Sequence, residues 1–399
     1  MTVAHALHDP AFHGGDPFPA FRALRAEPGL YWHDTPGFWA VTRHSDVVAV
    51  SRAPETFCSS RGILLSDLER VIVPRQSITY IDPPEHAKYR KLVQPAFSPG
   101  RLRQLERRIR EIACELLDAT PADREIDLVD AFSAPLPLLV IAEMLGIPGS
   151  DRARFKRWSD AVIDAGTEQT AENVAQAAEL FGYFSEVLAE RRARPGDDLL
   201  SLLAHSEVDG ERLEEFDLLA FCMTLLVAGN ETTRNLISHG TYGLCRNPEE
   251  WWKLATDRSL LPSAIEEMLR WGTPVGSFMR TATCDTRLGA TAIHEGDRLL
   301  LLYASANRDP QVFGADAEEF RITRDASRHV AFGFGEHFCL GAALARMEAR
   351  IAFEELLARF GAIELAAEPE RLQSIIIRGI VRLPVVLRSD RSPARATSP

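Results

Sequence analysis

The sequence predicts a mainly helical α+β fold with a small β-sheet near its N-terminus. Between residues 83 and 257, apolar residues recur at spacings of three and four, as expected of amphipathic helices, in Leu102, Leu105, Ile109, Ile112 and Leu116. Residues 30–50 instead alternate apolar and polar side chains around Pro36 and Gly37, which predicts a β-hairpin. The helical stretch is several times longer than the alternating one, so helix is predicted to dominate.

Three further elements complete this prediction. A short amphipathic helix is expected from Phe18 to Ala26. Residues 277–304 are rich in Thr, Ile and Leu with Gly and Asp between them, which predicts short strands and turns. A last helix, from Leu340 to Phe360, is predicted to follow a glycine-rich loop.

The chain is predicted to form one domain over residues 1–399. Its 399 residues would suggest two or three domains at roughly 150 residues each. However, the sequence contains no internal repeat, low-complexity linker or sharp change in composition that would mark a boundary. Residues 1–15 and 388–399 are expected to be flexible tails.

Composition excludes several classes of protein. No apolar run of about 18 residues is present, and the first residues do not resemble a signal peptide, so a soluble cytoplasmic protein without a membrane anchor is expected. The six cysteines include no Cys-x-x-Cys pair, which argues against a zinc site or a disulfide framework. The formal net charge of −12 argues against nucleic acid as a partner.

The most informative segment is FGFGEHFCLG, residues 332–341. Gly333 and Gly335 permit backbone angles that other residues resist, and Cys339 falls just before a predicted helix. The partial positive charge of a helix N-terminus lowers the pKa of a thiol, so Cys339 is predicted to be a thiolate able to ligate iron. The alternative is a buried structural cysteine, which is the interpretation favoured for the other five.

The order Phe, Gly, x, Gly, x, His, x, Cys, x, Gly in this segment resembles the haem-binding signature of the cytochromes P450. The resemblance covers residues 82–387 and implies the family's triangular, helix-rich fold. It also implies haem b as cofactor, with Cys339 as the axial ligand of the iron, Phe332 packed beside the sulfur and His337 reaching a haem propionate. Gly333 and Gly341 belong to the same cofactor-binding loop.

A second segment, LLVAGNETTRN, supports this resemblance. Leu225, Ala228, Gly229 and Thr232 share one helical face, and their small side chains would leave room above a flat macrocycle. The resemblance implies that Thr232 supplies a hydroxyl to bound dioxygen and that Glu231 relays protons, although many family members carry Asp there. The alternative is a buried helix that tolerates a glycine and two threonines.

Two sets of charged residues match further family positions. Glu267 and Arg270 lie one helical turn apart and, with Arg324, match a structural triad that holds the cysteine loop. His86 and Arg90 share a helix face at a spacing of four. With Arg280 they match residues that pair with the haem propionates, as an anionic cofactor requires. Taken singly, each set is equally typical of solvated surface charge.

The implied function is monooxygenation, the insertion of one oxygen atom from O2 into a hydrophobic small molecule. Steroid, terpenoid or lipid-like substrates are suspected, in a pocket lined by the apolar segments 63–78, 155–188, 224–232, 274–278 and 375–377. Two alternatives remain open, a peroxide-driven haem-thiolate peroxygenase and a non-catalytic haem sensor or carrier.

No flavin or nicotinamide motif is present, so electrons are expected from an external ferredoxin and ferredoxin reductase. A basic cluster in this acidic protein is the predicted docking surface for the ferredoxin. A solvated helix face is the alternative interpretation. The cluster consists of Arg101, Arg103, Arg107, Arg108, Arg110, Arg346 and Arg350.

Overall fold

The structure is a computed structural model that describes residues 6–68, 77–164, 170–207 and 210–390. Its α-helices are α1 Pro10–Gly14, α2 Phe18–Ala26, α3 His44–Ser51, α4 Glu85–Val93, α5 Pro99–Asp118, α6 Pro135–Met144, α7 Arg152–Asp164, α8 Ala171–Ala193, α9 Leu199–His205, α10 Glu215–Arg246, α11 Pro248–Thr256, α12 Leu261–Gly272, α13 Tyr303–Ala306, α14 Pro310–Phe313 and α15 Ala342–Arg359.

The β-strands are short. They are β1 Tyr31–His33, β2 Phe38–Val41, β3 Phe57–Cys58, β4 Glu125–Asp127, β5 Ser277–Ala282, β6 Thr286–Leu288, β7 Thr291–Ile293, β8 Arg298–Leu302, β9 Ala362–Leu365, β10 Glu370–Arg371, β11 Ile380–Arg382 and β12 Pro384–Arg388. The mainly helical α+β fold predicted from the sequence is therefore confirmed.

The long helix α10 is the centre of the helical layer. It packs against α6, α12 and α15, and its buried side chains, such as Leu226, Leu236 and Ile237, belong to the largest apolar core. Helices α5 and α15 pack against each other beside it. Most side chains of α10 are buried, since other helices enclose it and it does not lie on the surface.

The N-terminal hairpin joins a sheet whose other strands come from far along the chain. Strands β1 and β2 pair antiparallel with Trp32 opposite Trp39, which confirms the predicted hairpin. The strand order is β1-β2-β8-β5-β3, with β2 and β8 parallel. Strand β5 carries Arg280 in this sheet, and the pairing of β5 with β8 fixes the arginine's position beside the helical layer.

The structure differs from the sequence prediction at the ends of some elements. Helix α15 begins at Ala342 instead of Leu340, because the Cys339 carbonyl accepts the Ala342 N–H in a turn that precedes the helix. Residues 10–14 form α1 and Leu7 is fully buried, while β12 extends to Arg388. Among the described residues, no helix combines the length and the apolar character needed to cross a membrane.

Candidate functional site

A largely apolar cavity lies between α10 and the loop that carries Cys339. Leu225, Ala228, Gly229 and Thr232 of α10 line it together, as their shared helical face predicts. The loop residues Phe332, Gly333, His337, Cys339 and Gly341 also line it, as do His86, Arg90 and Arg280. The cavity therefore brings together every residue predicted to contact the cofactor.

Glycines set the shape of the cysteine loop. Gly333 and Gly335 have φ values of 70° and 72°, in the left-handed region that side chains rarely adopt. A Cβ atom on Gly335 would also overlap the backbone carbonyl of Ser51. The Cys339 N–H donates to the Phe332 carbonyl at 2.9 Å, so the loop closes on itself with Cys339 facing the cavity.

Opposing influences act on the pKa of the Cys339 thiol. Its side chain is exposed to the cavity but enclosed by protein on other sides, and this burial raises the pKa of the thiol. The Gly341 N–H and the charges of Arg90 and Arg346 lower that pKa by less. The N–H at the start of α15 therefore lowers this pKa as expected, but the net direction is upward because burial outweighs it. Coordination to a metal would itself remove the proton.

The opposite wall of the cavity is the small-residue face of α10. The Thr232 hydroxyl donates to the Ala228 carbonyl at 2.6 Å, a local bond common for threonine inside helices. A Cβ atom on Gly229 would approach Ile141 Cδ1 of α6 to 3.1 Å. Gly229 therefore also allows the close approach of α6, a constraint that the sequence argument did not include.

Glu231 does not line the cavity, unlike its neighbour Thr232. Its carboxylate is buried, pairs with Arg234 Nη1 at 3.2 Å and accepts a hydrogen bond from the Asn235 amide at 3.0 Å. Asn235 and Arg234 in turn hydrogen bond to the backbone of Ile380 in β11. The predicted acid and alcohol are thus adjacent in sequence but face different sides of α10.

One edge of the cavity carries two arginines and two histidines. His86, Arg90, Arg280 and His337 meet there, with the two imidazole rings 4.4 Å apart. Burial, and then the charges of Arg280, His86 and Arg90, lower the pKa of His337 to about 2. Among the described residues, the only ion pair to this group is that of Glu336 with His86, at 3.0 Å.

This edge fits an anionic cofactor. A buried cluster of positive charge with so little compensation is costly unless an anion binds to it. The space beside Gly341 is open, since a Cβ atom there would have no neighbour within 4 Å. A flat group with carboxylates at one end and a metal near the cysteine is therefore compatible with the residues present.

The predicted Glu267, Arg270 and Arg324 triad is formed and buried behind the cavity. Arg270 binds both carboxylate oxygens of Glu267, at 2.6 and 2.7 Å, and donates to the carbonyls of Asn307, Ala317 and Glu319. Arg324 Nε lies 3.4 Å from Glu267. The triad ties α12 to the segment that leads into the cysteine loop.

The basic cluster is largely neutralised within the protein. Arg108, Arg110, Arg346 and Arg350 each form ion pairs with two or more carboxylate oxygens at 3.4 Å or less. Arg107 is 89% exposed with one long contact, 3.8 Å to Glu111, and Arg103 is exposed. The surface available to a partner is therefore smaller than the sequence pattern indicates.

The predicted substrate-contacting segments are only partly found at the cavity. Ile63, Ile78, Thr224, Pro274, Val275 and Phe278 line it. The described parts of residues 155–188 and of 375–377 do not, because Phe155, Leu180, Phe184 and Leu188 pack in the core and Ile377 pairs with Val275. Residues 69–76 of the first predicted segment lie outside the described residues. Lining residues that the prediction missed include Phe97, Ile141 and Phe221.

Glu348 was also missed. This carboxyl of α15 lines the cavity, is 2% exposed, and its Oε2 has no hydrogen-bond partner among the described residues. Burial alone raises the pKa of Glu348 to about 8. The sequence did contain a signal for this residue: Glu348 lies nine residues after Cys339 and has apolar neighbours on the same helix face.

The fold and the cavity define a class of protein in which a cysteine loop and a small-residue helix line a site suited to a flat, anionic cofactor. Comparison with known proteins is consistent with this class. The family model for cytochrome P450 matches residues 127–382. Linalool 8-monooxygenase of Pseudomonas putida is 40% identical over 391 residues, which cover 93% of this chain and 95% of that protein.

Solved structures agree. Cytochrome P450 CYP109Q5 of Chondromyces apiculatus superposes with a TM-score of 0.86 at 37% identity, covering 97% of this chain and 98% of that one. CYP109E1 of Bacillus megaterium in complex with testosterone gives a TM-score of 0.85 at 35% identity, covering 94% and 100%. The chain belongs to the cytochrome P450 family and is a P450 monooxygenase.

Proposed function

We propose that this monooxygenase hydroxylates a hydrophobic terpenoid, steroid or lipid-like molecule within the cavity between α10 and the cysteine loop, using haem b held by Cys339. The observation that carries this proposal is the arrangement of the cavity. Cys339, the small-residue face of α10 and the edge with Arg90 and Arg280 line one cavity. When bound, the haem supplies the activation of dioxygen and the transfer of one oxygen atom.

The roles of the surrounding residues follow from their contacts. Cys339 would hold the iron, with Phe332 beside it and Gly333 and Gly341 leaving space for the macrocycle. His86, Arg90, Arg280 and His337 would bind the propionates, because a buried carboxylate requires charged hydrogen-bond donors. All of them line the cavity.

Thr232 and Glu231 would manage the protons that the reaction consumes. The Thr232 hydroxyl reaches the cavity by rotating away from the Ala228 carbonyl. Glu231 would exchange between its ion pair with Arg234 and a position nearer Thr232, which requires a change of side-chain rotamer. Such an exchange lets a buried carboxylate carry protons from one side of α10 to the other.

A hydrophobic substrate is supported by the cavity wall. Ile63, Ile78, Phe97, Phe221 and Phe278 present apolar surface, and Thr79 and Thr224 are among the few polar groups there. Relatives are named for compounds of matching character: one acts on linalool, and another is a methyl-branched lipid omega-hydroxylase. An apolar skeleton with one hydroxyl or carbonyl group is the class that fits such a wall.

The test is a spectral titration of the haem-loaded protein against terpenoids, steroids and fatty acids. Members of the proposed classes are expected to shift the haem spectrum and to be hydroxylated in coupled turnover. If only small polar compounds produced the shift, the substrate class would be wrong even though the haem site remained.

We further propose that a ferredoxin, reduced by its reductase, supplies the electrons and docks near Arg103 and Arg107 on α5. These side chains are exposed, whereas Arg108 is paired with Glu111, Glu115 and Glu143. An acidic partner would be steered by the exposed charges and not by the neutralised one.

Replacing Arg103 and Arg107 with Gln is expected to slow reduction by a ferredoxin about threefold or more at low salt, and less at high salt, since exposed charges are screened. Stopped-flow reduction measures this rate. Arg108→Gln is the matched control on the same helix and is expected to change it little. Equal slowing by both variants would place the docking surface elsewhere.

A further inference from the structure

Three side chains from separate segments meet behind the cysteine loop. Arg346 of α15 binds Glu266 of α12 through two hydrogen bonds, Nε to Oε1 at 2.6 Å and Nη2 to Oε2 at 2.8 Å. His329, three residues before Phe332, lies 3.1 Å from the same carboxylate. Glu266 is not part of the buried triad, whose carboxylate is that of the next residue, Glu267. The network of Arg346, Glu266 and His329 is therefore distinct from the triad.

The network places the guanidinium end of an ion pair against the cysteine loop. The Arg346 guanidinium lies over the Phe332 ring, 4.6 Å from its centre. The Phe332 carbonyl accepts the Cys339 N–H. The guanidinium thus lies one side chain away from the cysteine.

Glu266 is suited to fix this arrangement. Burial would raise the pKa of its carboxyl, but the hydrogen bonds from Arg346 and His329 outweigh burial and lower the pKa to about 2. The carboxylate is therefore ionised at neutral pH. A bidentate pair of arginine with carboxylate fixes the plane of the guanidinium as well as its position.

We propose that Glu266 is a positioning residue that holds Arg346 flat against Phe332, and that the charge so placed raises the reduction potential of an iron bound by Cys339. The physical reason is that reduction adds an electron to the iron and sulfur, and a nearby cation stabilises the added negative charge. This inference rests on the proposed haem-thiolate function. It assigns Arg346 to tuning the cofactor and not to docking a partner.

Arg350 provides a matched control one turn further along α15. It too binds two carboxylates, Glu106 at 2.7 Å and Glu354 at 3.0 Å, and its side chain is 31% exposed against 37% for Arg346. Within the part of the chain that the structure describes, its hydrogen bonds and ion pairs go to these two carboxylates and not to the cysteine loop. Comparing the two arginines therefore separates loss of a surface ion pair from loss of the charge beside Phe332.

The experiment is a double-mutant cycle on the haem-loaded protein, with the midpoint potential read by spectroelectrochemical titration. Arg346→Gln is expected to lower the equilibrium constant for one-electron reduction by about threefold or more, about 28 mV at 59 mV per tenfold. Arg350→Gln is expected to leave it unchanged. In a Glu266→Gln background, where Arg346 is no longer fixed, Arg346→Gln should have less than about half of that effect.

Arg346→Lys keeps the charge without the bidentate geometry and is expected to recover part of the lost potential. An effect of Arg346→Gln that is equal in both backgrounds would overturn the positioning role of Glu266. An unchanged potential combined with weaker ferredoxin binding would overturn the whole inference and assign Arg346 to docking. Failure of the proposed function is distinguishable, because the unsubstituted protein would then lack a thiolate-type spectrum of its reduced carbon monoxide complex.

Discussion

At the scale of single residues, the two side chains proposed for proton delivery are differently accessible. Thr232 faces the cavity, while Glu231 is held on the other side of α10 by Arg234 and Asn235. The threonine hydroxyl therefore has the shorter path to a molecule bound in the cavity. The acid must first leave an ion pair. Removing the hydroxyl should therefore lower the share of electrons that ends in product, while haem binding is preserved.

Thr232→Ala is expected to preserve haem content while diverting reducing equivalents to peroxide, with product per electron pair falling about tenfold. That is below the usual contribution of 10²–10⁴-fold from a positioned acid or base. Product and hydrogen peroxide, both quantified against cofactor consumed, provide the measurement. Thr241→Ala is the control, since Thr241 is buried on the same helix but outside the cavity lining. Full coupling in Thr232→Ala would remove Thr232 from the mechanism.

At the scale of secondary-structure elements, α12 is fixed to the segment preceding the cysteine loop by a fully buried ion pair. Glu267 and Arg270 have no solvent exposure, and the pair satisfies carbonyls from several loops. A buried pair of this kind contributes little net stability compared with apolar residues, but loss of one partner leaves a buried charge without compensation.

Glu267→Gln is therefore expected to lower the free energy of unfolding by about 3–5 kcal/mol. Chemical denaturation followed by circular dichroism measures it. Arg321→Gln is the control, because Arg321 is half exposed and pairs with Asp316 and Glu319 at the surface. That variant should cost less than about 1 kcal/mol. Similar losses of unfolding free energy in both variants would show that burial of the Glu267–Arg270 pair does not cause the effect.

The elements could be predicted from the sequence where a local pattern specifies them. Apolar spacing specified the face of α10, and residues 30–50 specified the hairpin. Strands β4, β9 and β12 were missed, since each has at most five residues and pairs with segments far along the chain. The pairing of Arg346 with Glu266 could not be predicted, because a sequence does not show which distant side chains lie within hydrogen-bond distance.

Residues around the cavity were likewise predictable only where a local pattern specifies them. Cys339, His337, His86 and Arg90, which belong to local motifs, all line the cavity. The substrate-facing segments were predicted less well, since which side of α7 or α8 faces the cavity depends on how the helices pack. The pKa of Cys339 was predicted in the wrong direction because burial depends on the whole fold.

At the scale of the whole molecule, stability should depend on pH through Glu348. The folded protein keeps this carboxyl protonated up to a pKa of about 8, above the ordinary value of 4.5. Between these values unfolding releases a proton, so stability is fully present below pH 4.5 and is lost as pH rises through 8.

Glu348→Gln should flatten this dependence, because the amide cannot release a proton. The slope removed is at most about 1.4 kcal/mol per pH unit. Unfolding free energies at several pH values between 5 and 8, obtained by urea denaturation, provide the measurement, with the exposed Glu186→Gln on α8 as control. An identical slope in the Glu348 variant would mean that the carboxyl is already ionised in the folded protein.

The proposed function depends on the sulfur of Cys339 holding a haem iron in this cavity. The most direct test is the absorption spectrum of the reduced, carbon monoxide-bound protein, compared with that of Cys339→Ser. The unsubstituted protein is predicted to give the long-wavelength Soret band of thiolate ligation, and the serine variant is predicted to lose it. A spectrum of nitrogen ligation in the unsubstituted protein, or the same spectrum in both, would contradict the account.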